Sequence, residues 1–208
     1  MKHLMQVAVT LLLLISIPAF AVGDVADGQA KSAICAACHG ADGNSAVPMW
    51  PKIAGQNEAY LKRQLDLIKS GARPVPEMTG IVAGMTEQDF TNLAAYYATQ
   101  TTSAGLADEG SIAVAEGLYK AGDPSIEAPA CMACHGPAGE GNPLAGYPKL
   151  AGQHAVYTEK MLMGFRSGTT WGEEDSSSGI MVGVSHRLTD AQIKALASYI
   201  QGLHSNTE

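Results

Sequence analysis

"CAACHG" at residues 35–40 returns 96 positions later as "CMACHG" at 131–136, and these two stretches hold all four cysteines of the chain. Three chemistries use cysteines at this spacing. Disulfides form in oxidising compartments, and a thioredoxin-like redox pair also reads Cys-x-x-Cys, but such pairs sit in a βαβ pattern that is not evident here. Structural zinc would need both pairs at one ion, whereas compact zinc modules separate their pairs by about 15–20 residues. The third chemistry is covalent haem attachment. Thiols at i and i+3 lie on one side of a helical turn and can form thioethers with both vinyl groups of a porphyrin, and the next residue, histidine, is held beneath the iron. Two such pentapeptides in a chain without other cysteines are a specific signal. Cys35 with Cys38, and Cys131 with Cys134, are the expected attachment points of two haem c groups, with His39 and His135 as axial ligands.

The sequence around the cysteines is also written twice, which fixes the organisation. "DGQAKSAICAACHG" (27–40) matches "EGLYKAG…ACMACHG" (116–136), with seven extra residues in the second copy. "WPKIAGQNEAYLKRQL" (50–65) matches "YPKLAGQHAVYTEKML" (147–162), and "MTGIVAGMTEQDFTNLAAYYATQ" (78–100) matches "MVGVSHRLTDAQIKALASYIQGL" (181–203). The blocks keep their order, so the expected domains are 22–100 and 112–208, joined by a linker at 101–111, "TTSAGLADEGS". Each copy reads as helical. Thr86 with Asp89 and Thr189 with Gln192 have the spacing of capping boxes. Behind them Phe90, Leu93, Ala94 and Tyr97, and likewise Ile193, Leu196, Ala197 and Ile200, recur at i, i+3, i+4 and i+7. Middle helices are expected from about Glu58 to Lys69, stopped by Gly71, and from about Ala155 to Phe165. No segment alternates with period two between hairpin turns, so the fold class is all-α. Gly28 and Gly117 fall in the first helix of each copy, where glycine is costly. Close crossings near Tyr96 and Tyr199 would explain them.

The start, "MKHLMQVAVTLLLLISIPAFA", has a cationic residue, an eleven-residue run from Val7 to Ile17 and an Ala19-Phe20-Ala21 cleavage site. It reads as a signal peptide, 1–21; a membrane span needs about 20 apolar residues. The mature protein is expected to begin near Val22 and to be exported, to the periplasm in a Gram-negative host. It keeps 12 basic against 20 acidic residues, a balance that argues against nucleic acid as a partner. The imbalance is concentrated in residues 105–208, with 6 basic and 12 acidic residues.

The sixth iron ligand separates an electron carrier from a ligand-binding or peroxidatic haem. A ligand with the same role in both copies should occupy matching positions. Of the seven methionines in the mature chain, Met49, Met78, Met85, Met132, Met161, Met163 and Met181, only Met78 and Met181 do so. Both are expected in loops just before the last helix of their copy. Thioether ligation stabilises the ferrous state and raises the potential. Histidine is the rival: His186, five residues after Met181, could replace it, whereas His154 and His204 are expected as solvated surface groups. The carbonyls of Pro51 and Pro148 are candidate acceptors for the second N–H of each ligating histidine. Trp50 and Tyr147 could pack on a porphyrin edge or simply in the core.

Two units each carrying CxxCHG, PK[IL]AGQ and a Met-x-Gly segment before an "AAYYA"- or "ASYI"-type helix resemble tandem class I cytochromes c of the dihaem cytochrome c4 family. The resemblance spans the mature chain. It implies ligand pairs His39/Met78 and His135/Met181 and two haems close enough for rapid internal transfer. It further implies a periplasmic electron carrier, free or membrane-associated, between a dehydrogenase or the cytochrome bc complex and a terminal oxidase. Transfer would be outer-sphere, with redox proteins as the partners. The dihaem subunit of a sulfide-oxidising flavocytochrome c is similar in size and duplication. A dihaem peroxidase should lack the matched methionines, and a haem-based sensor would need a signalling module. The acidic stretch "GTTWGEEDSSSG" (168–179) departs from the family pattern and bears on docking.

Overall fold

The computed structural model describes residues 23–172 and 175–204. The expected signal peptide, 1–21, lies outside them. The described residues form ten α-helices, one 3-10 turn and no strand beyond isolated bridges at Asp123–Ala128 and Asn142–Tyr147. The first half contains α1 (Val25–Lys31), α2 (Ala33–His39), α3 (Glu58–Ser70), α4 (Pro76–Val82) and α5 (Glu87–Ala98). The second contains α6 (Glu109–Ala121), a 3-10 turn (Pro124–Ile126), α7 (Met132–His135), α8 (Ala155–Arg166), α9 (Ser176–Ser185) and α10 (Asp190–Gly202).

Local chemistry sets these limits. α5 and α10 open with complete capping boxes. Asp89 is long enough to close the first, its carboxylate accepting from Thr86 N at 2.8 Å. α3 stops at Gly71, which takes the left-handed conformation at φ +81°. The seven extra residues of the second copy fold as a small loop between α6 and α7, pinched by Asp123 and Ala128.

Met78 and Met181 lie in helices, not in the loops expected. Pro76 starts α4, its fixed φ suiting the first helical turn, and the Asp175 carboxylate caps α9 by accepting from Ser178 N at 3.1 Å. The glycines two residues after each methionine, Gly80 and Gly183, sit inside these helices with open space around them. They do not break the turns.

In each half the first helix packs on the last. α1 crosses α5 so closely that a Cβ on Gly28 would lie 2.0 Å from Asn92 O and 2.8 Å from Tyr96 Cβ. Gly117 is different: a Cβ there would meet nothing. The fully buried small residue of α6 is Ala115. The first-half core is built from Leu61, Leu93, Ala94, Tyr96 and Tyr97, with Ile68, Val82 and Phe90 beside it. The second-half core gathers Leu118, Tyr119, Leu162, Ile193, Leu196 and Ile200.

The two halves meet through the PK[IL]AGQ loops, and the pairing is reciprocal. Lys52 N donates to Gln153 Oε1 at 2.9 Å while Gln153 Nε2 donates to Lys52 O at 2.8 Å. Lys149 N donates to Gln56 Oε1 at 2.7 Å while Gln56 Nε2 donates to Lys149 O at 2.9 Å. Asn57 Nδ2 adds a bond to Tyr147 O, and His154 pairs through Nε2 with Ser45 O at 2.8 Å. His154 is therefore a half-buried interface group and not the solvated one expected; His204 is exposed. Arg73 crosses the junction too, with Nη2 2.8 Å from Tyr157 Oη and its guanidinium 4.5 Å above the Trp171 ring.

The connection is shorter and better anchored than a flexible linker. α6 begins at Glu109, so the last three residues of the expected 101–111 segment are helical. Before it, Ser103 O accepts from the buried Lys52 ammonium at 2.6 Å, Thr102 Oγ1 donates to Ala54 O, and Gly105 N donates to Gln201 O.

Gly28→Ala is expected to destabilise the holoprotein by about 2–3 kcal/mol, because backbone must move to admit the methyl. Gly117→Ala is expected to stabilise it by about 0.5–1 kcal/mol through helix propensity alone. Denaturant unfolding of both variants checks the contrast.

Candidate functional site

Each Cys-x-x-Cys-His segment is a short helical turn closed by glycine. α2 begins as Ser32 O accepts from Cys35 N at 2.9 Å, and α7 forms as Cys131 O accepts from His135 N at 3.0 Å. Both turns end at glycines with φ +78°, Gly40 and Gly136. A Cβ at Gly40 would sit 2.9 Å from Asn44 O, so the chain can leave the turn sharply only because no side chain is there. All four cysteines are half-buried and none is in a disulfide. Cys35 packs on the first-half core and Cys131 on the second. Burial raises the Cys35 pKa and pushes that of Cys131 up to about 11, so before haem attachment both thiols stand protonated in apolar walls.

The histidines are more tightly determined. His39 and His135 are 8% and 7% exposed. Nδ1 of His39 lies 2.9 Å from Pro51 O, and Nδ1 of His135 lies 2.9 Å from Pro148 O. Desolvation lowers both pKa values, with the proline carbonyl opposing it, so the rings are neutral near pH 7. A carbonyl oxygen only accepts, so Nδ1 must carry the proton and Nε2 must carry the lone pair. That is the tautomer an axial ligand needs.

Met78 packs on Ile68, Val82 and Phe90, and Met181 on the second-half core; both are half-buried. The other methionines have other surroundings. Met85 fills the space between the two first-half clusters, Met132 and Met163 pack on the second core, Met49 is 58% exposed, and Met161 Sδ lies 4.0 Å from Arg73 Nη2. His186 is exposed, bonded through Nδ1 to Gly183 O and accepting from Arg187 Nε at Nε2. Both of its nitrogens are engaged away from any core. Tyr147 lies beside its site, its ring 6.1 Å from that of His135.

A haem brings two carboxylates as well as an iron, and the residues present suit that chemistry. Arg63 Nε and Gln64 Nε2 are buried donors with no acceptor among the described residues. Gln64 is held by Arg73, whose Nη1 donates to Gln64 Oε1 at 2.6 Å. Zinc finds no comparable fit: no group of three or more His, Cys, Asp or Glu side chains converges among the described residues. Of the acidic stretch, Glu173 and Glu174 lie outside the described residues. Asp175 is buried beside Arg63, at 3.7 Å, and Trp171 is buried beneath Arg73.

Two covalent attachment turns, each with an oriented neutral histidine, in a duplicated helical chain define a dihaem c-type cytochrome. The Cytochrome c family profile matches twice, over residues 25–101 and 118–204. Cytochrome c4 of Pseudomonas aeruginosa is 48% identical over 186 residues, covering 89% of this chain and 92% of that protein. The crystal structure of reduced recombinant cytochrome c4 from Pseudomonas stutzeri superposes with a TM-score of 0.84 at 46% identity, covering 88% of this chain and all of that one. A thiosulfate dehydrogenase electron acceptor of Thiomonas intermedia is 34% identical over 174 residues, 82% of this chain and 78% of that protein. The chain belongs to the cytochrome c4 family. It is an electron carrier, not an enzyme, and its cysteine pairs hold two haem c groups.

Replacing Cys131 and Cys134 together by alanine is expected to halve the covalently bound haem, from two groups per chain to one. Intact-protein mass measurement and haem quantification after denaturation check it.

Proposed function

We propose that this chain shuttles single electrons in the periplasm, with His39 and Met78 holding one iron and His135 and Met181 the other. The observation that carries this reading is the matched placement of the two methionines. Each stands on a short helix packed against its own half's core, directly ahead of a capping-box helix. The haem, when bound, supplies an iron that alternates between ferrous and ferric. The protein's part is to keep both states in nearly one geometry. The proline carbonyls fix the imidazole planes, Met78 and Met181 would hold the iron through soft, neutral sulfurs, and the apolar cores would exclude water. Little then reorganises when an electron moves.

In this reading residues 1–21 are removed on export, and 22–100 and 112–208 are the two electron-carrying units. The donor is the cytochrome bc complex or a dehydrogenase, and a terminal oxidase is the acceptor, with the chain free or peripherally attached to the membrane. Its excess of acidic residues favours salt-sensitive docking to a basic or mixed surface. A second reading has one specific support. Likeness to a thiosulfate dehydrogenase electron acceptor favours a sulfur-compound dehydrogenase as donor. Reduction rates with purified cytochrome bc complex and with thiosulfate dehydrogenase, compared at one ionic strength, decide between them. Co-purification of a flavoprotein would instead point to a flavocytochrome subunit.

The ligand assignment is tested by Met78→Ala. The sulfur-to-iron charge-transfer absorption of the oxidised protein should fall by half, and carbon monoxide should bind one haem of the reduced variant. The unsubstituted protein should bind almost none; substantial binding at one haem without denaturant would overturn the assignment. Met78→His should keep that haem six-coordinate and lower its potential.

A further inference from the structure

We propose that Gln153 and Gln56 are positioning residues for the haem of the opposite half, each setting how strongly that half's histidine donates electrons to iron. The inference rests on ligation by His39 and His135. Its basis is a coincidence of contacts on single peptide groups. Pro51 O, 2.9 Å from His39 Nδ1, and Lys52 N, 2.9 Å from Gln153 Oε1, are the two ends of one amide. Pro148 O, 2.9 Å from His135 Nδ1, and Lys149 N, 2.7 Å from Gln56 Oε1, are the ends of another. A histidine of one half is thus joined to a glutamine of the other through one planar, resonance-delocalised unit.

Such a unit transmits polarisation. An acceptor at the N–H end draws the amide toward its charge-separated form and makes its oxygen a better acceptor, and hydrogen bonds in a chain strengthen one another. A stronger bond at Nδ1 raises the basicity of Nε2. A more basic ligand favours ferric over ferrous iron, so each glutamine lowers the potential of the haem across the junction. The surroundings keep the effect from being screened: Gln153 is 9% exposed and Gln56 is 7% exposed. Neither side chain is free to turn. Their Nε2 atoms hold Lys52 O and Lys149 O, and their Oε1 atoms also accept from His154 N and Asn57 N. Simple adhesion between the halves would not require that both glutamines land on the amides already bound by the histidines.

The test is a redox titration of the holoprotein followed by NMR, in which resonances of each haem report its own oxidation. Gln153→Leu should raise the electron occupancy of the His39 haem relative to the His135 haem by a few-fold at half-reduction, of the order expected for losing part of one buried hydrogen bond. Gln56→Leu should do the reverse. In the reduced protein the Nδ1 proton of the histidine across the junction should move upfield and that of the same half should stay. Gln153→Glu, which restores an acceptor oxygen and adds negative charge, should shift occupancy opposite to leucine; it decides the matter by its sign if the leucine variant does not fold. Asn57→Ala keeps the backbone N–H on Gln56 Oε1, breaks only the side-chain bond to Tyr147 O, and should leave the distribution unchanged. A leucine effect on the haem of the same half, an equal effect on both, or none would overturn the proposal. If the histidines were not ligands, the unsubstituted protein would already lack a low-spin histidine/methionine spectrum.

Discussion

The bond from each histidine Nδ1 to a proline carbonyl is the constraint on which the rest is built. It selects the tautomer, fixes the plane of the ring and leaves the Nε2 lone pair that the proposed ligation gives to iron. For that bond to form, the Cys-x-x-Cys-His turn must end abruptly and the following loop must return its backbone to within 2.9 Å of the ring. Gly40 and Gly136 supply the abrupt ending, and the PK[IL]AGQ loops supply the return. The helices stabilise this arrangement. α1 against α5, and α6 against α10, form the scaffold to which the turns are attached.

Much of this was legible in the sequence, for reasons that differ by element. The attachment turns were plain because their chemistry is local: two thiols and an imidazole within five residues. The capping boxes of α5 and α10 and the apolar faces behind them were equally local. The helical setting of Met78 and Met181 is not what the sequence reading expects; Pro76 and Asp175 are the signals that point to it. Gly117 matches Gly28 in the repeat, yet a Cβ there would meet nothing, and Ala115 is the small residue that α6 buries.

The junction was the least legible part. His154 meets Ser45 O across 109 residues, and the glutamine–lysine pairs span 93 and 101, distances over which a single sequence shows no periodicity. One clue was present. Gln56 and Gln153 close a repeated motif whose proline was assigned a task and whose glutamine was not. The asymmetric contacts, Arg73 on Trp171 and Arg63 beside Asp175, had no clue, because Arg73, Trp171 and Asp175 lie outside the repeated blocks.

The reciprocal loop pairing also bears on how such a chain could arise. A surface that offers an amide and a glutamine, and requires the same pair in return, is complementary to itself. One unduplicated unit could therefore have associated with a second copy about a twofold axis, as isologous dimers do. Fusing the copies through residues 101–108 would keep the contact and replace dilution-sensitive association with a high effective concentration. Once joined, the copies were free to diverge, and the cationic side chain on one side and the indole on the other are contacts that no symmetric ancestor could have held in this one-sided form.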